Sequence, residues 1–69
     1  MRITVNGEPQ EAAEGLTVLR LLETLGVKGE RVAVEVNLEV IKRDQRGQRV
    51  LAEGDAVEIV SFVGGGLGC

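Results

Sequence analysis

No histidine, tryptophan or tyrosine occurs among the 69 residues, and cysteine, proline, methionine and phenylalanine occur once each. The absence of histidine excludes a Ser-His or Cys-His catalytic pair and any metal site built on imidazole. Phe62 alone cannot form an aromatic surface for stacking nucleic acid bases. Cys69 has no partner for an internal disulfide, which is typical of a reducing compartment. We therefore expect neither catalytic residues nor a metal site.

The net charge and the hydropathy of the chain exclude further classes of protein. Val, Leu, Ile and Ala supply nearly all of the 43% of apolar residues, and the formal net charge is −3. This balance gives no general attraction to nucleic acid or to an anionic membrane. The apolar runs are too short to cross a bilayer, and the first residues enter a strand pattern without a signal peptide. We expect one soluble domain in the cytoplasm, with no nucleic acid or membrane partner.

The first half of the chain predicts a hairpin followed by a helix. Residues 2–6 alternate with period two, and Asn6-Gly7 is a strong turn signal. A weaker strand follows over residues 8–14, and its proline suits an edge position. In residues 17–25 the apolar positions 18, 21, 22 and 25 share one helical face. Thr17 is a suitable N-cap and Gly26 a suitable C′ residue.

The second half predicts strands only. Residues 31–37 place three valines on one face, and residues 38–41 form a short further strand. The polar stretch 42–49 is expected to be a solvated loop. Residues 51–55 form a turn into a last strand over residues 56–63.

This element order indicates the fold class. One helix can cover one face of a mixed sheet, with the first and last strands adjacent in the middle. A ferredoxin-like fold would need a second helix, and residues 38–56 have no helical period. We predict an α+β, ubiquitin-like β-grasp domain over residues 1–63, with four or five strands on one helix. Residues 64–69 form a flexible glycine-rich tail.

The tail allows two interpretations. Gly64-Gly65-Gly66 is slim and conformationally free, which suits an arm that enters another protein's active site. A disordered end without a role is the alternative. A phosphate-binding loop is excluded because no Lys-Ser/Thr pair and no helix follow the glycines.

Several segments together resemble a known family. They are residues 3–8, 17–22, 32–37, 53–60 and 63–66, and they occur in the family's order over nearly the whole chain. The sequence resembles the ThiS-like sulfur carriers of thiamine biosynthesis and, more loosely, the small subunit of molybdopterin synthase.

The resemblance implies a carrier that is not itself an enzyme and binds no cofactor. A ubiquitin-activating-type, ThiF-like adenylyltransferase would use ATP to adenylate the carboxylate of Gly66. Sulfur from a cysteine desulfurase or another donor would convert it to a thiocarboxylate, and a thiazole synthase or another acceptor would take the sulfur. We expect the carrier to be a monomer.

A docking surface is expected beside the arm. Alternation places Val57 and Ile59 toward the core and leaves Val60 and Phe62 on the other side. Val60, Phe62 and Val63 are therefore the predicted partner contacts. The alternative for Phe62 is that it packs beneath a loop.

Two departures from the family pattern stand out. Leu38 occupies a turn position that is glycine in many members, and Leu67-Gly68-Cys69 follows the usual terminal glycine. Three interpretations of this extension compete: a processing peptidase exposes Gly66, cleavage after Gly68 removes Cys69 alone, or Cys69 remains and acts as a thiol. A tail that is not native to the protein is a fourth.

Two other functions remain open at this point. The carrier could supply another pathway, such as molybdopterin, cysteine or homocysteine synthesis or tRNA thiolation. It could instead be a β-grasp interaction module that binds partners without any covalent step.

Overall fold

The computed structural model describes residues 1–61, in which five strands and one α-helix follow each other along the chain. The strands are β1 (Arg2–Val5), β2 (Glu8–Glu11), β3 (Val32–Val36), β4 (Glu39–Ile41) and β5 (Ala56–Ser61). The helix α1 (Val18–Leu25) lies between β2 and β3 in sequence, and short 3-10 turns occupy Gly29–Arg31 and Arg43–Gln45.

The strands form one mixed sheet in the order β2-β1-β5-β3-β4. The central pair β1 and β5 is parallel, whereas the three other pairs are antiparallel. Parallel neighbours need a long crossover, and the whole middle of the chain, including α1, supplies it. The predicted β-grasp arrangement, with the first and last strands adjacent in the middle, is confirmed.

Two-residue turns close both hairpins. Asn6 and Gly7 join β1 to β2 with φ values of 51° and 84°. Asn37 and Leu38 join β3 to β4 with φ values of 53° and 70°. Two positive φ values match the twist of the strands, and glycine suits the second position. Leu38 takes the left-handed conformation despite its side chain, at a cost of about 1–2 kcal/mol.

The helix begins and ends where the sequence predicts. The backbone amide of Arg20 donates to the hydroxyl of Thr17 at 3.2 Å. At the other end Gly26 has φ 72°, and the amide of Val27 donates to the carbonyl of Leu22 at 3.0 Å. This pairing is a Schellman motif, which only a residue at ease with positive φ allows.

The core lies between α1 and one face of the sheet. The sequence of β3 explains why the core forms on this face. Its three valines alternate with less buried residues, and all three point toward the helix. From the helix Val18, Leu21 and Leu22 meet them. The buried apolar residues of this cluster are Ile3, Val5, Val18, Leu21, Leu22, Val32, Val34, Val36, Ile41, Leu51 and Val57.

The prediction that residues 42–49 form a solvated loop is wrong at Arg46. Its side chain is buried, and its guanidinium donates to the carbonyl of Gly29 at 2.7 Å and to that of Val32 at 2.9 Å. Burial, and to a lesser extent the charge of Arg43, lowers the pKa of Arg46. The buried carbonyls need donors, and Arg46 supplies them from across the loop.

We expect Arg46→Ala to lower the free energy of unfolding by about 2–3 kcal/mol, because the buried carbonyl of Val32 loses the guanidinium donor and the half-buried carbonyl of Gly29 keeps only the backbone amide of Val32. Arg43→Ala is the matched control, since the Arg43 guanidinium donates to the carbonyl of Glu30 at 3.2 Å in an exposed position. That change should cost less than about 0.5 kcal/mol. Urea denaturation measures both, and equal losses would contradict the role given to Arg46.

Candidate functional site

The site is built on β5, the central strand that leads into the glycine-rich segment. β5 pairs with β3 from Val57 to Ser61 and with β1 only at Ala56 and Val57. On the β1 side, β5 therefore has a strand partner at only its first two of six residues. The rest of β5 needs another hydrogen-bond partner on that side.

Asn6 supplies this support. Its backbone amide donates to the carbonyl of Val57 at 2.8 Å. Its side-chain oxygen accepts a hydrogen bond from the backbone amide of Ile59, also at 2.8 Å. One asparagine therefore continues the ladder two residues beyond the last paired residue of β5, in the way a strand would. The sequence indicated Asn6 only as a turn residue.

Asn37 does the same at the start of β5. Its side-chain oxygen accepts from the amide of Ala56 at 3.0 Å, and its side-chain amide donates to Asp55 at 2.9 Å. The buried carboxylate of Asp55 also accepts from the backbone amide of Ala52 at 2.8 Å. The first turn residue of each hairpin thus binds the backbone of β5, one from each side.

The face of the sheet opposite α1 is not covered by any element of residues 1–61. We call it the open face, and define it by Ala33, Glu35, Val40, Glu58 and Val60. Strand register places Ala33 beside Val60 and Glu35 between Glu58 and Val40. Val60 is 55% exposed here, on the side that alternation predicts, and its role in docking stays a prediction.

A groove of about 360 Å³ lies on the other side of β5, near its end. Apolar walls from Val27, Val32 and Ile59 meet the polar residues Lys28, Arg31 and Ser61. The short link between α1 and β3 forms one side of it. The walls of this groove come from two segments that are distant in sequence, residues 27–32 and 59–61, so no local sequence pattern indicates it.

The remaining predicted site residues lie outside the described part of the chain. They are Phe62, Val63, Gly64, Gly65, Gly66, Gly68 and Cys69. The boundary predicted between residues 63 and 64 also lies there. Their assignments stay predictions.

Within residues 1–61 no group of three or more acidic, histidine or cysteine side chains could hold a metal ion. No helix in that part of the chain is both long and apolar enough to cross a membrane.

A mixed five-stranded sheet around one helix, with the first and last strands parallel at its centre, defines a ubiquitin-like β-grasp domain. A solved structure agrees: the thiamine biosynthesis protein ThiS from Geobacter metallireducens superposes with a TM-score of 0.83 at 45% identity, over 96% of this chain and all of that one.

Sequence comparison narrows the class to a family. The ThiS family model matches residues 3–66. The sulfur carrier protein ThiS of Thermus thermophilus is 39% identical over 64 residues, which is 93% of this chain and 98% of that protein. The chain therefore belongs to the ThiS family.

Longer relatives also match. The thiazole synthase of Magnetococcus marinus is 48% identical over 66 residues, which is 96% of this chain. The chain spans about a fifth of the length of the first curated relatives that it matches, which carry this name.

We expect Asn6→Gly to loosen the end of β5 while keeping the turn, because glycine accepts positive φ but has no side-chain acceptor. Loss of a hydrogen bond of about 1 kcal/mol should speed amide exchange at Ile59 roughly fivefold. Asn37→Gly is the matched control and should affect Ala56 instead. Exchange at Ile59 that is unchanged in Asn6→Gly would refute the anchoring role.

Proposed function

We propose that this carrier works through the carboxylate of Gly66, which is first adenylated and then converted to a thiocarboxylate that supplies sulfur for the thiazole of thiamine. A carboxylate oxygen attacks the α-phosphate of ATP and releases pyrophosphate. Nucleophilic sulfur then displaces AMP from the acyl-adenylate. Adenylation is needed because a free carboxylate is a poor electrophile, whereas AMP is a good leaving group.

The observation that carries this proposal is the extent of the family match, which ends at Gly66 and leaves Leu67-Gly68-Cys69 beyond it. Glycine suits the reacting position because it has no side chain to obstruct ATP or the sulfur donor. The fold supports the same scheme, since the segment follows a central strand that is held on both sides. A fixed base turns delivery of the arm into an effectively intramolecular step.

The proposal includes a processing step. Chemistry at Gly66 requires that its carboxylate be free, and three residues follow it. A peptidase that cuts after Gly66 is therefore a partner in this scheme. Cleavage after Gly68, or retention of Cys69 as a thiol, would give a different terminus and a different mass.

Three further partners complete the cycle. An adenylyltransferase of the ubiquitin-activating type consumes the ATP, and a cysteine desulfurase or a comparable donor supplies sulfur. A thiazole synthase receives it. Support for this acceptor comes from relatives named thiazole synthase, in which the region matching this chain is one part of a polypeptide about five times longer.

The test of Gly66 is the intact mass of the protein recovered from its own cells and after incubation with adenylyltransferase, ATP and sulfur donor. We expect loss of residues 67–69 and exchange of one oxygen for sulfur. Gly66→Ala should slow adenylation about 100-fold, because an added methyl group displaces the reacting carbonyl. Its thermal midpoint should stay unchanged, since position 66 follows the described core.

A sulfur-bearing terminus at Gly68 or Cys69 would contradict the assignment to Gly66. A full-length carrier that stays unmodified in the presence of peptidase, adenylyltransferase, ATP and donor would refute the whole scheme.

We expect Val60→Ser to weaken binding to the adenylyltransferase about tenfold, because Val60 is an exposed apolar side chain two residues before the predicted contacts Phe62 and Val63. The free energy of unfolding should change by less than about 0.5 kcal/mol. Val50→Ala, at a similarly exposed valine away from the open face, is the control. Binding can be followed by titration calorimetry.

Phe62→Ala should weaken the same binding and leave the fold intact. Loss of folding in that variant would instead support packing of Phe62 beneath a loop. Unchanged affinity in both variants would rule out docking through this strand.

A further inference from the structure

Leu38 combines two unfavourable features at one position. Its φ of 70° is in the left-handed region, and its side chain is 87% exposed. A leucine so exposed gains little from packing within residues 1–61, so no contact there offsets the backbone strain. Strained residues in native structures often mark functional positions. The folded domain therefore gives no reason for a leucine at this turn, whereas a partner that contacts its side chain would.

The position of Leu38 relates it to the open face. Val40, two residues further along, is 63% exposed and lies on that face beside Glu35. Leu38, Val40 and Val60 are the three most exposed large apolar side chains in the described chain. All three lie on the open face or at the turn that borders it, whereas such residues are usually scattered over a surface. We call Leu38 and Val40 the turn anchor.

The turn anchor is at the far end of the sheet from Ser61, the last described residue. β3 runs from Val32, which pairs with Ser61, to the turn that begins at Asn37, a distance of about 17 Å at about 3.3 Å per residue. A partner that contacts both the arm and the turn anchor must therefore extend along the open face. This is well within the dimensions of a standard protein interface.

Two acidic side chains lie on the open face between Val60 and the turn anchor. Glu35 and Glu58 are directly opposite each other in the antiparallel register, where like charges repel. Within residues 1–61 neither carboxylate forms an ion pair. A cation from outside the domain would relieve this repulsion and would be held by two carboxylates at once.

The acidic pair also favours some binding partners of the open face over others. A second copy of this chain, stacked face to face about a two-fold axis, would bring its own acidic pair against Glu35 and Glu58. Such a dimer is therefore disfavoured. A partner that carries an arginine or lysine next to an apolar patch is favoured instead.

We propose that the open face, from the turn anchor across Glu35 and Glu58, binds the thiazole synthase through a surface of that synthase with an apolar patch beside a basic side chain. The proposal rests on the proposed function, which makes the synthase the sulfur acceptor. In relatives named thiazole synthase the region that matches this chain is part of the same polypeptide, and such a link raises the effective concentration of one region near the other. The turn anchor fixes the orientation of the carrier while the arm reaches the acceptor site.

The experiment exploits opposite effects on stability and binding. Full-length carrier is titrated into the thiazole synthase of the same organism by calorimetry, and its thermal midpoint is measured separately. Leu38→Gly removes both the strain and the side chain, so the midpoint should rise while the dissociation constant increases about tenfold. Leu38→Asn should behave alike, since asparagine tolerates the left-handed region and has no apolar side chain. Val50→Ala serves as the control and should bind like wild type.

A second arm tests the charges. Replacing Glu35 and Glu58 together by glutamine should weaken binding about fivefold at low salt and flatten its salt dependence. Glu23→Gln is the control: it removes one charge from the exposed side of the helix and should change neither the affinity nor its salt dependence.

Wild-type affinity in both Leu38 variants would overturn the proposal, as would a wild-type carrier that does not bind the synthase. Loss of loading by the adenylyltransferase in the Leu38 variants, with synthase binding intact, would overturn it too and assign the surface to the activating enzyme. Thiocarboxylate formation on the wild-type carrier is read by mass spectrometry in the same samples. If no thiocarboxylate forms, the proposed chemistry at Gly66 is wrong. That result is distinct from an unchanged affinity of the Leu38 variants, which bears on the turn anchor.

Discussion

The position of β5 depends on two asparagine side chains that act where strand partners are missing. Asn6 holds the amide of Ile59 from the β1 side, and Asn37 holds that of Ala56 from the β3 side. Each asparagine is also the first residue of a hairpin turn, where positive φ directs the chain back along its neighbour. The same two residues thus reverse the outer hairpins and fix the strand between them.

The two faces of the sheet differ in what covers them and in their composition. One face, covered by α1, carries the valines and isoleucines of the core. The other keeps Val40 and Val60 exposed beside a pair of opposed glutamates. A substitution on the open face therefore leaves the packing of the core unchanged.

Much of the fold could be predicted because its signals are local. Alternating valines determine the buried face of β3, Asn6-Gly7 predicts a tight turn, and Gly26 predicts the end of the helix. Arg46 could not be predicted, because a polar residue in a polar stretch gives no sign that it will reach buried carbonyls 14 and 17 residues earlier. The hydrogen bond from the amide of Ile59 to the side chain of Asn6 could not be predicted for the same reason, since 53 residues separate its partners. The motif at Gly66 comes from family resemblance rather than from local physics.

Parallel pairing of β1 with β5 has a consequence for the growing chain. Among the described strands, the hairpins β1–β2 and β3–β4 share no hydrogen-bonded ladder, and β5 lies between them and pairs with both. A nascent chain that has not yet released residues 56–61 from the ribosome therefore holds two separate hairpins and a helix with no complete sheet to pack against. Formation of the complete sheet therefore waits for β5, and a chain truncated before residue 56 lacks the strand that joins its two hairpins, which leaves it open to proteolysis.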